Sequence, residues 1–127
     1  MSNTKRINGS ITLYKENDEV LKIIDNPTKV EVFGFITEDV VSMYVRDCLD
    51  FEDDWVPEHL KYLHVYSCNN FKGHLKNTKI TNLFVEKCPI FVGNELPDTL
   101  VDLYIEYSNE FVGDKLNNNL EELYIEA

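Results

Sequence analysis

Residues 60–71 read LKYLHVYSCNNF, and their apolar pattern returns along the chain at intervals of twenty residues. Apolar residues stand at the first, fourth and sixth positions, Cys or Ser at the ninth, and Phe at the twelfth. Successive copies begin at Val40, Leu60, Ile80, Leu100 and Leu120, and the last copy is incomplete. Because these copies keep one register without an insertion or deletion, the sequence predicts a repeat protein.

The spacing within each copy is typical of a β-strand. Leu63 and Val65 are separated by one residue, so both side chains would lie on one face of a strand. A twenty-residue unit leaves too little chain for a full helix with two loops, so the return is expected to be extended or a single helical turn. Its bends are expected at one glycine per copy: Gly73, Gly93 and Gly113.

Identical units of this kind bury their apolar rows against one another when they stack. The sequence therefore predicts a solenoid with a parallel β-sheet on one face and short returns. The alternative is an antiparallel sandwich with regular turns.

The repeated pattern L-x-x-L-x-L-x-x-C, followed by a large apolar residue, resembles the leucine-rich repeat over roughly Val40 to Ala127. Residues 96–100, LPDTL, resemble the L-P-x-x-L segment of a short twenty-residue class known from secreted bacterial effectors. That class usually has Asn where this chain has Cys48, Cys68 and Cys88. The resemblance implies a leucine-rich-repeat-like solenoid that acts as a non-catalytic protein-interaction module.

Residues 1–39 lack the twenty-residue register and are predicted to form a β-rich N-terminal cap, with the repeats occupying residues 40–127. Short β-like runs at 11–14 and 21–24 indicate a hairpin within about residues 6 to 38. Residues 30–35 are a candidate for a degenerate first strand of the solenoid. At the other end, the sequence stops after the strand predicted at 120–126, and no C-terminal cap is visible.

Composition excludes several classes of partner. The chain of 127 residues has 23 acidic and 12 basic residues and a net charge of −11, which disfavours nucleic acids and anionic membranes. No stretch approaches the roughly 20 apolar residues of a membrane span, and the polar N-terminus shows no signal peptide. The odd number of cysteines argues against a disulfide-stapled secreted domain. We therefore expect a cytoplasmic or otherwise intracellular, reducing location.

The cysteines fall at one repeat position, which Ser108 occupies in the following copy. This pattern favours a buried ladder of small, weakly polar groups that hydrogen-bond the turn after each strand. A disulfide between neighbours, a metal site and a catalytic Cys48 are the less favoured alternatives. No spacing typical of a catalytic constellation or a phosphate-binding loop is present, so we expect no enzyme activity, no cofactor and no metal.

The outward positions of the predicted strands form three rows across the sheet. The first outward row contains Ser42, Tyr62, Asn82, Asp102 and Glu122. The aromatic stripe contains Tyr44, His64, Phe84, Tyr104 and Tyr124. The third outward row contains Arg46, Tyr66, Glu86, Glu106 and Glu126. The two flanking rows become acidic towards the C-terminus.

Aromatic patches supply hot spots for protein binding, and acidic flanks favour a basic partner. The predicted partner-binding residues are Tyr44, Tyr62, His64, Tyr66, Phe84, Glu86, Asp102, Tyr104, Glu106 and Tyr124. Three alternatives stay open: that the rings only stack on one another, that the chain pairs with a second copy through its last strand, and that it is an acidic decoy for a nucleic-acid-binding protein. The expected state is a monomer or an end-to-end homodimer.

Overall fold

The computed structural model describes residues 9–113 and 116–126, so residues 1–8 of the predicted cap and residues 114–115 and 127 of the predicted repeats lie outside it. The strands within the described residues are β1 (Ser10–Tyr14), β2 (Val20–Asp25), β3 (Ser42–Arg46), β4 (Tyr62–Tyr66), β5 (Asn82–Glu86), β6 (Asp102–Glu106) and β7 (Glu122–Glu126). One α-helix, α1 (Lys29–Phe35), and two 3₁₀ turns, Glu16–Asp18 and Asp53–Trp55, complete the regular structure of this part of the chain.

All of these strands belong to one sheet in the order β2-β1-β3-β4-β5-β6-β7. Strands β3 to β7 are parallel, whereas β1 is antiparallel to both β2 and β3. The prediction of a repeat solenoid is therefore confirmed: the chain forms a mostly parallel sheet arranged as a β-solenoid of about four turns. The antiparallel sandwich is excluded.

The register between the parallel strands equals the sequence period. Leu63 pairs with Leu83, and Val65 pairs with Val85, twenty residues later in each case. Each inward side chain therefore stacks on the equivalent side chain of the next turn, and the inward side chains of β3 to β6 are buried. Burial of that apolar surface, at roughly 25 cal/mol per Å², is the main force that holds the turns together.

A second ladder, buried at its first three rings and partly buried at its last, lies on the return side of the turns. Phe51, Phe71, Phe91 and Phe111 follow one another with ring centroids 5.6, 5.7 and 5.8 Å apart. The last two pairs are stacked within 11° of parallel. The twelfth position of each copy thus fills the space between the sheet and the return.

Residues 29–35 form the helix α1, so the expectation of a degenerate strand over 30–35 is wrong. Thr28 caps the helix, because its Oγ1 accepts a hydrogen bond from the backbone N–H of Glu31 at 3.2 Å. Thr28 and Glu31 have the spacing of a capping box, which marks a helix start. The alternating Val30 and Val32 resemble a strand and concealed this signal. The runs at 11–14 and 21–24 do lie in strands, and these pair as an antiparallel hairpin.

The bends of the returns differ from one copy to the next. Gly73 and Gly93 have φ of +86° and +72°, as expected of glycine at a bend, whereas Gly113 does not adopt a positive φ. A Cβ on Gly73 would lie 2.3 Å from Cε1 of Phe91, so the Phe91 ring can pack here only because residue 73 has no side chain.

The first copy has Asp53 at this position, and its carboxylate binds the following return. Oδ1 accepts hydrogen bonds from the backbone N–H groups of Lys72 and Gly73 at 2.9 and 3.2 Å, and Oδ2 accepts one from His74 at 2.8 Å. One side chain thus satisfies three successive amides of the next turn.

Strand β7 is one edge strand of the described sheet, and β2 is the other. Its inward residues Leu123 and Ile125 are 47% and 52% exposed, whereas Leu103 and Ile105 on β6 are buried. The apolar row of the solenoid is therefore open at this edge among the described residues.

Candidate functional site

The outward face of the sheet brings the aromatic stripe together as the sequence indicated. Strand pairing places Tyr44 beside His64, His64 beside Phe84, and then Tyr104 and Tyr124 in line. Successive ring centroids are 4.6, 5.5, 5.3 and 4.5 Å apart. The stripe is one continuous series of ring contacts that crosses five strands.

Ring contact within the stripe leaves part of its surface open to solvent. Phe84 and Tyr124 are 43% and 46% exposed, and Tyr62 in the first outward row is 45% exposed. Surrounding residues therefore cover slightly more than half of Phe84, Tyr124 and Tyr62. The remaining apolar surface is available to another molecule.

Two glutamates of the third outward row are tied to the stripe. The phenolic O–H groups of Tyr104 and Tyr124 donate to the carboxylates of Glu106 and Glu126. These bonds raise the pKa of both tyrosines above its ordinary value, because a nearby carboxylate stabilises the protonated phenol. Both phenols therefore stay neutral and hold the rings in a fixed orientation.

His64 occupies the centre of the N-terminal half of the stripe. Its Nε2 atom is shielded from solvent and lies 3.3 Å from Oε1 of Glu86, without the alignment of a hydrogen bond. The pair places one carboxylate of the third outward row against the stripe at β5. Glu86 therefore lies beside the ring series, as do Glu106 and Glu126.

Tyr66 makes a different contact from the one the sequence suggested. Its hydroxyl accepts a hydrogen bond from Nζ of Lys87 at 3.3 Å, and the same Nζ lies 5.5 Å from the ring centroid. Lys87 follows β5 directly and was not among the predicted site residues. Tyr66 already has a cation on its ring, which reduces its value as an anchor for a partner.

The first outward row is partly closed by internal hydrogen bonds. Nδ2 of Asn82 donates to Oδ2 of Asp102 at 2.7 Å, and the hydroxyl of Thr81 donates to Oδ1 of Asn82 at 2.7 Å. These bonds fix the side chains between β5 and β6.

Two hollows lie between the first outward row and the aromatic stripe. The first has a volume of about 320 Å³, and its wall contains Tyr14, Ser42, Tyr44, Tyr62, His64, Asn82 and Phe84. The second has a volume of about 530 Å³, and its wall contains Phe84, Asp102, Tyr104, Glu121, Glu122 and Tyr124. Sequence analysis missed Tyr14, because only the pairing of β1 with β3 brings it to this face.

The cysteine ladder lies on the buried side of the molecule and takes no part in these hollows. Cys48, Cys68 and Cys88 are free thiols, and each donates a hydrogen bond at 3.4 Å to the carbonyl two residues earlier. Ser108 repeats this contact at 3.3 Å, and its Oγ also accepts from the backbone N–H of Cys88 at 3.1 Å. The prediction of a buried, hydrogen-bonded ladder is confirmed.

Burial disfavours the thiolate form of two of the three cysteines. It raises the pKa of Cys88 to about 11, and a hydrogen bond with Cys48 together with burial raises the pKa of Cys68. Thiolate is the nucleophilic form, so neither Cys68 nor Cys88 is activated for chemistry. The pKa of Cys48 is lowered instead, because its side-chain hydrogen bond with Cys68 outweighs burial.

No set of three His, Cys, Asp or Glu side chains in the described ranges is placed to hold a metal ion. His74 lies between two carboxylates, with Nδ1 3.7 Å from Asp53 and Nε2 3.4 Å from Glu95. His59 contacts the backbone carbonyl of Thr37 at 3.0 Å. These contacts connect neighbouring turns of the solenoid.

No protein-family model matches the sequence, and no curated protein or solved structure matches it either. Within residues 9–113 and 116–126, no helix is long and apolar enough to cross a membrane. The fold is a β-solenoid with a mostly parallel sheet, and the outward aromatic face of this sheet is the candidate functional site.

Proposed function

We propose that this chain is a non-catalytic protein-interaction module of leucine-rich-repeat character that binds a protein partner through the outward face of its sheet. The observation that carries the proposal is the continuous aromatic stripe, whose rings contact one another yet leave Phe84 and Tyr124 nearly half exposed. Half-exposed aromatic side chains on a rigid sheet are the kind of surface that protein interfaces bury.

The charge of the face favours a basic partner. Glu86, Glu106 and Glu126 lie in register along one side of the stripe. Asp102 and Glu122 lie along the other side near its C-terminal end. Opposite charge on a partner would raise the association rate and would orient the complex. A reducing, intracellular location belongs to the same proposal, and its support is that the three cysteines are free.

Affinity capture from the source organism tests this proposal. The tagged chain is compared with a Phe84→Ala/Tyr104→Ala variant and with Phe33→Ala, which removes an exposed ring from α1 outside the sheet face. We expect a partner that the double variant loses and the Phe33→Ala control retains, with circular dichroism showing both variants folded. An unchanged set of partners would show that the stripe only stabilises the sheet.

Self-association through β7 is a second candidate, favoured by the exposure of Leu123 and Ile125 at an unpaired strand edge. Glu122 and Glu126 on the same strand oppose it, since like charges would meet in a symmetric pair. Light scattering over a hundredfold range of protein concentration distinguishes a monomer from a self-associated form. A constant monomer mass excludes this candidate.

A further inference from the structure

The two hollows on the outward face are adjacent and follow one another across the strands. Both have the aromatic stripe as one wall and the first outward row as the other, and the ring of Phe84 belongs to both. Their floors are the strands themselves, at Met43 and Leu63 in the first hollow and at Leu103 and Leu123 in the second. We name this feature the cross-strand groove.

The chemistry of the cross-strand groove changes along its length. The first hollow has aromatic walls, with Ser42 and Asn82 as polar groups, and it contains no carboxylate. The second hollow contains Asp102, Glu121 and Glu122 beside its tyrosines. One end of the groove therefore suits an apolar side chain, and the other end suits a cation.

The acidic end lacks an internal counter-ion in the part of the chain that the structure describes. Asp102 accepts a hydrogen bond from Asn82, which is uncharged. The carboxylates of Glu121 and Glu122 have no side-chain partner among residues 9–113 and 116–126. A lysine or arginine from another molecule would supply the missing charge and would bury its aliphatic stem against Tyr124.

Strand spacing sets the length of a ligand that fills both hollows. Neighbouring strands lie about 4.8 Å apart, so the groove from β3 to β7 is about 19 Å long, the length of about six extended residues. The centres of the hollows are about three strand spacings apart, or about 14 Å, which corresponds to about four residues. Residues four apart in an extended chain point to the same side, so one segment can place a side chain in each hollow.

We propose that the cross-strand groove binds an extended peptide segment that places a large apolar side chain among Tyr44, Tyr62 and Phe84 and a Lys or Arg, about four residues away, between Tyr124 and Glu122. This inference rests on the proposed function and names the chemistry of its partner. A folded domain would contact the stripe without needing this spacing. The spacing therefore distinguishes binding of a linear peptide from binding of a folded domain.

A display library of random twelve-residue peptides tests the inference with the full chain as bait. We expect enriched peptides to combine a large apolar residue with Lys or Arg four positions away, in either chain direction. The strongest peptide is then synthesised with a fluorescent label, and its Kd is measured by anisotropy. Replacing its basic residue with Glu is expected to weaken binding by about tenfold or more.

Variants of the chain locate the two contacts. Glu121→Lys/Glu122→Lys is expected to raise the Kd of the peptide by about tenfold or more. The control Asp98→Lys/Glu110→Lys makes the same charge change on exposed turns and is expected to leave Kd within about twofold. Tyr62→Ala is expected to weaken it similarly, and Phe33→Ala is not. Circular dichroism establishes that each variant is folded.

Three results would overturn the inference: no enrichment of peptides, enrichment without a basic residue, or equal weakening by the groove and control variants. None of these decides the proposed function, since affinity capture with Phe84→Ala/Tyr104→Ala can still identify a folded partner. Absence of any captured partner for the wild-type chain, together with an enriched peptide of the expected kind, would support the groove and leave the proposed function without support.

Discussion

Oδ2 of Asp53 accepts a hydrogen bond from the backbone N–H of His74 at 2.8 Å, so a side chain of one return holds the backbone of the next. Oδ1 of the same carboxylate accepts from Lys72 and Gly73. Later copies have glycine where Asp53 stands, so this contact is specific to the first repeat.

Asp53→Ala is expected to lower the free energy of unfolding by about 1–3 kcal/mol, because it leaves amides of the next return without an acceptor. The matched control is Asp54→Ala, which removes an exposed ion pair with Lys29 and is expected to change stability by less than about 1 kcal/mol. Urea unfolding measures both variants. Equal losses would mean that the three hydrogen bonds contribute nothing beyond surface charge.

Gly73 and Gly34 should respond to alanine with opposite signs. Gly73→Ala places a Cβ 2.3 Å from the ring of Phe91 at a φ of +86°, and we expect stability to fall by about 1–3 kcal/mol. Gly34 lies within α1 with open space around it, so Gly34→Ala is expected to raise stability by up to about 1 kcal/mol. Thermal unfolding gives both signs, and a stabilising Gly73→Ala would contradict the geometry of the bend.

The buried phenylalanine ladder and the exposed aromatic stripe should differ in their contribution to stability. Phe91→Ala removes a buried ring stacked on two neighbours, and we expect a loss of about 3–5 kcal/mol. Phe84→Ala removes a ring that is 43% exposed, and we expect a loss of about 0.5–1.5 kcal/mol. Denaturant unfolding compares the two. A large loss for Phe84→Ala would favour a structural role for the aromatic stripe.

The buried thiol of Cys88 predicts a loss of stability at alkaline pH. Burial raises its pKa from 9.0 to about 11, so the folded state keeps a proton that the unfolded state releases. Its contribution is fully present below pH 9 and is lost as the pH rises towards 11, by an amount on the order of 2 kcal/mol. Unfolding free energies measured from pH 7 to 11 report this slope.

Cys88→Ser provides the control for this pH dependence, because Ser108 occupies the same position in the next copy and a hydroxyl does not ionise in this range. The variant should lose the part of the slope that Cys88 contributes above pH 9 and retain the part contributed by Cys68 and by the tyrosines with raised pKa. Identical slopes for both proteins would assign the alkaline transition to Cys68 and the tyrosines.

The sequence by itself determined the repeat, its register and the inward face of each strand. A side-chain period of two within the strand and a period of twenty between strands allow one stacking in which Leu63 meets Leu83 and Val65 meets Val85. The cysteine ladder and the aromatic stripe follow from the same register, because equivalent residues of parallel strands become neighbours.

Only the tertiary structure decided the features that depend on contacts between unlike segments. Tyr14 reached the outward face because β1 pairs antiparallel with β3. The helix α1 is different, because its cap at Thr28 is a local signal that the sequence contained and the alternating valines concealed. The hydrogen bonds of Asp53 to the next return depend on a carboxylate that the later copies replace with glycine, so the repeat pattern did not indicate them. The period of the sequence specifies which equivalent residues stack on one another. The shape of a groove depends on how different side chains pack against one another, and that packing exists only in the folded chain.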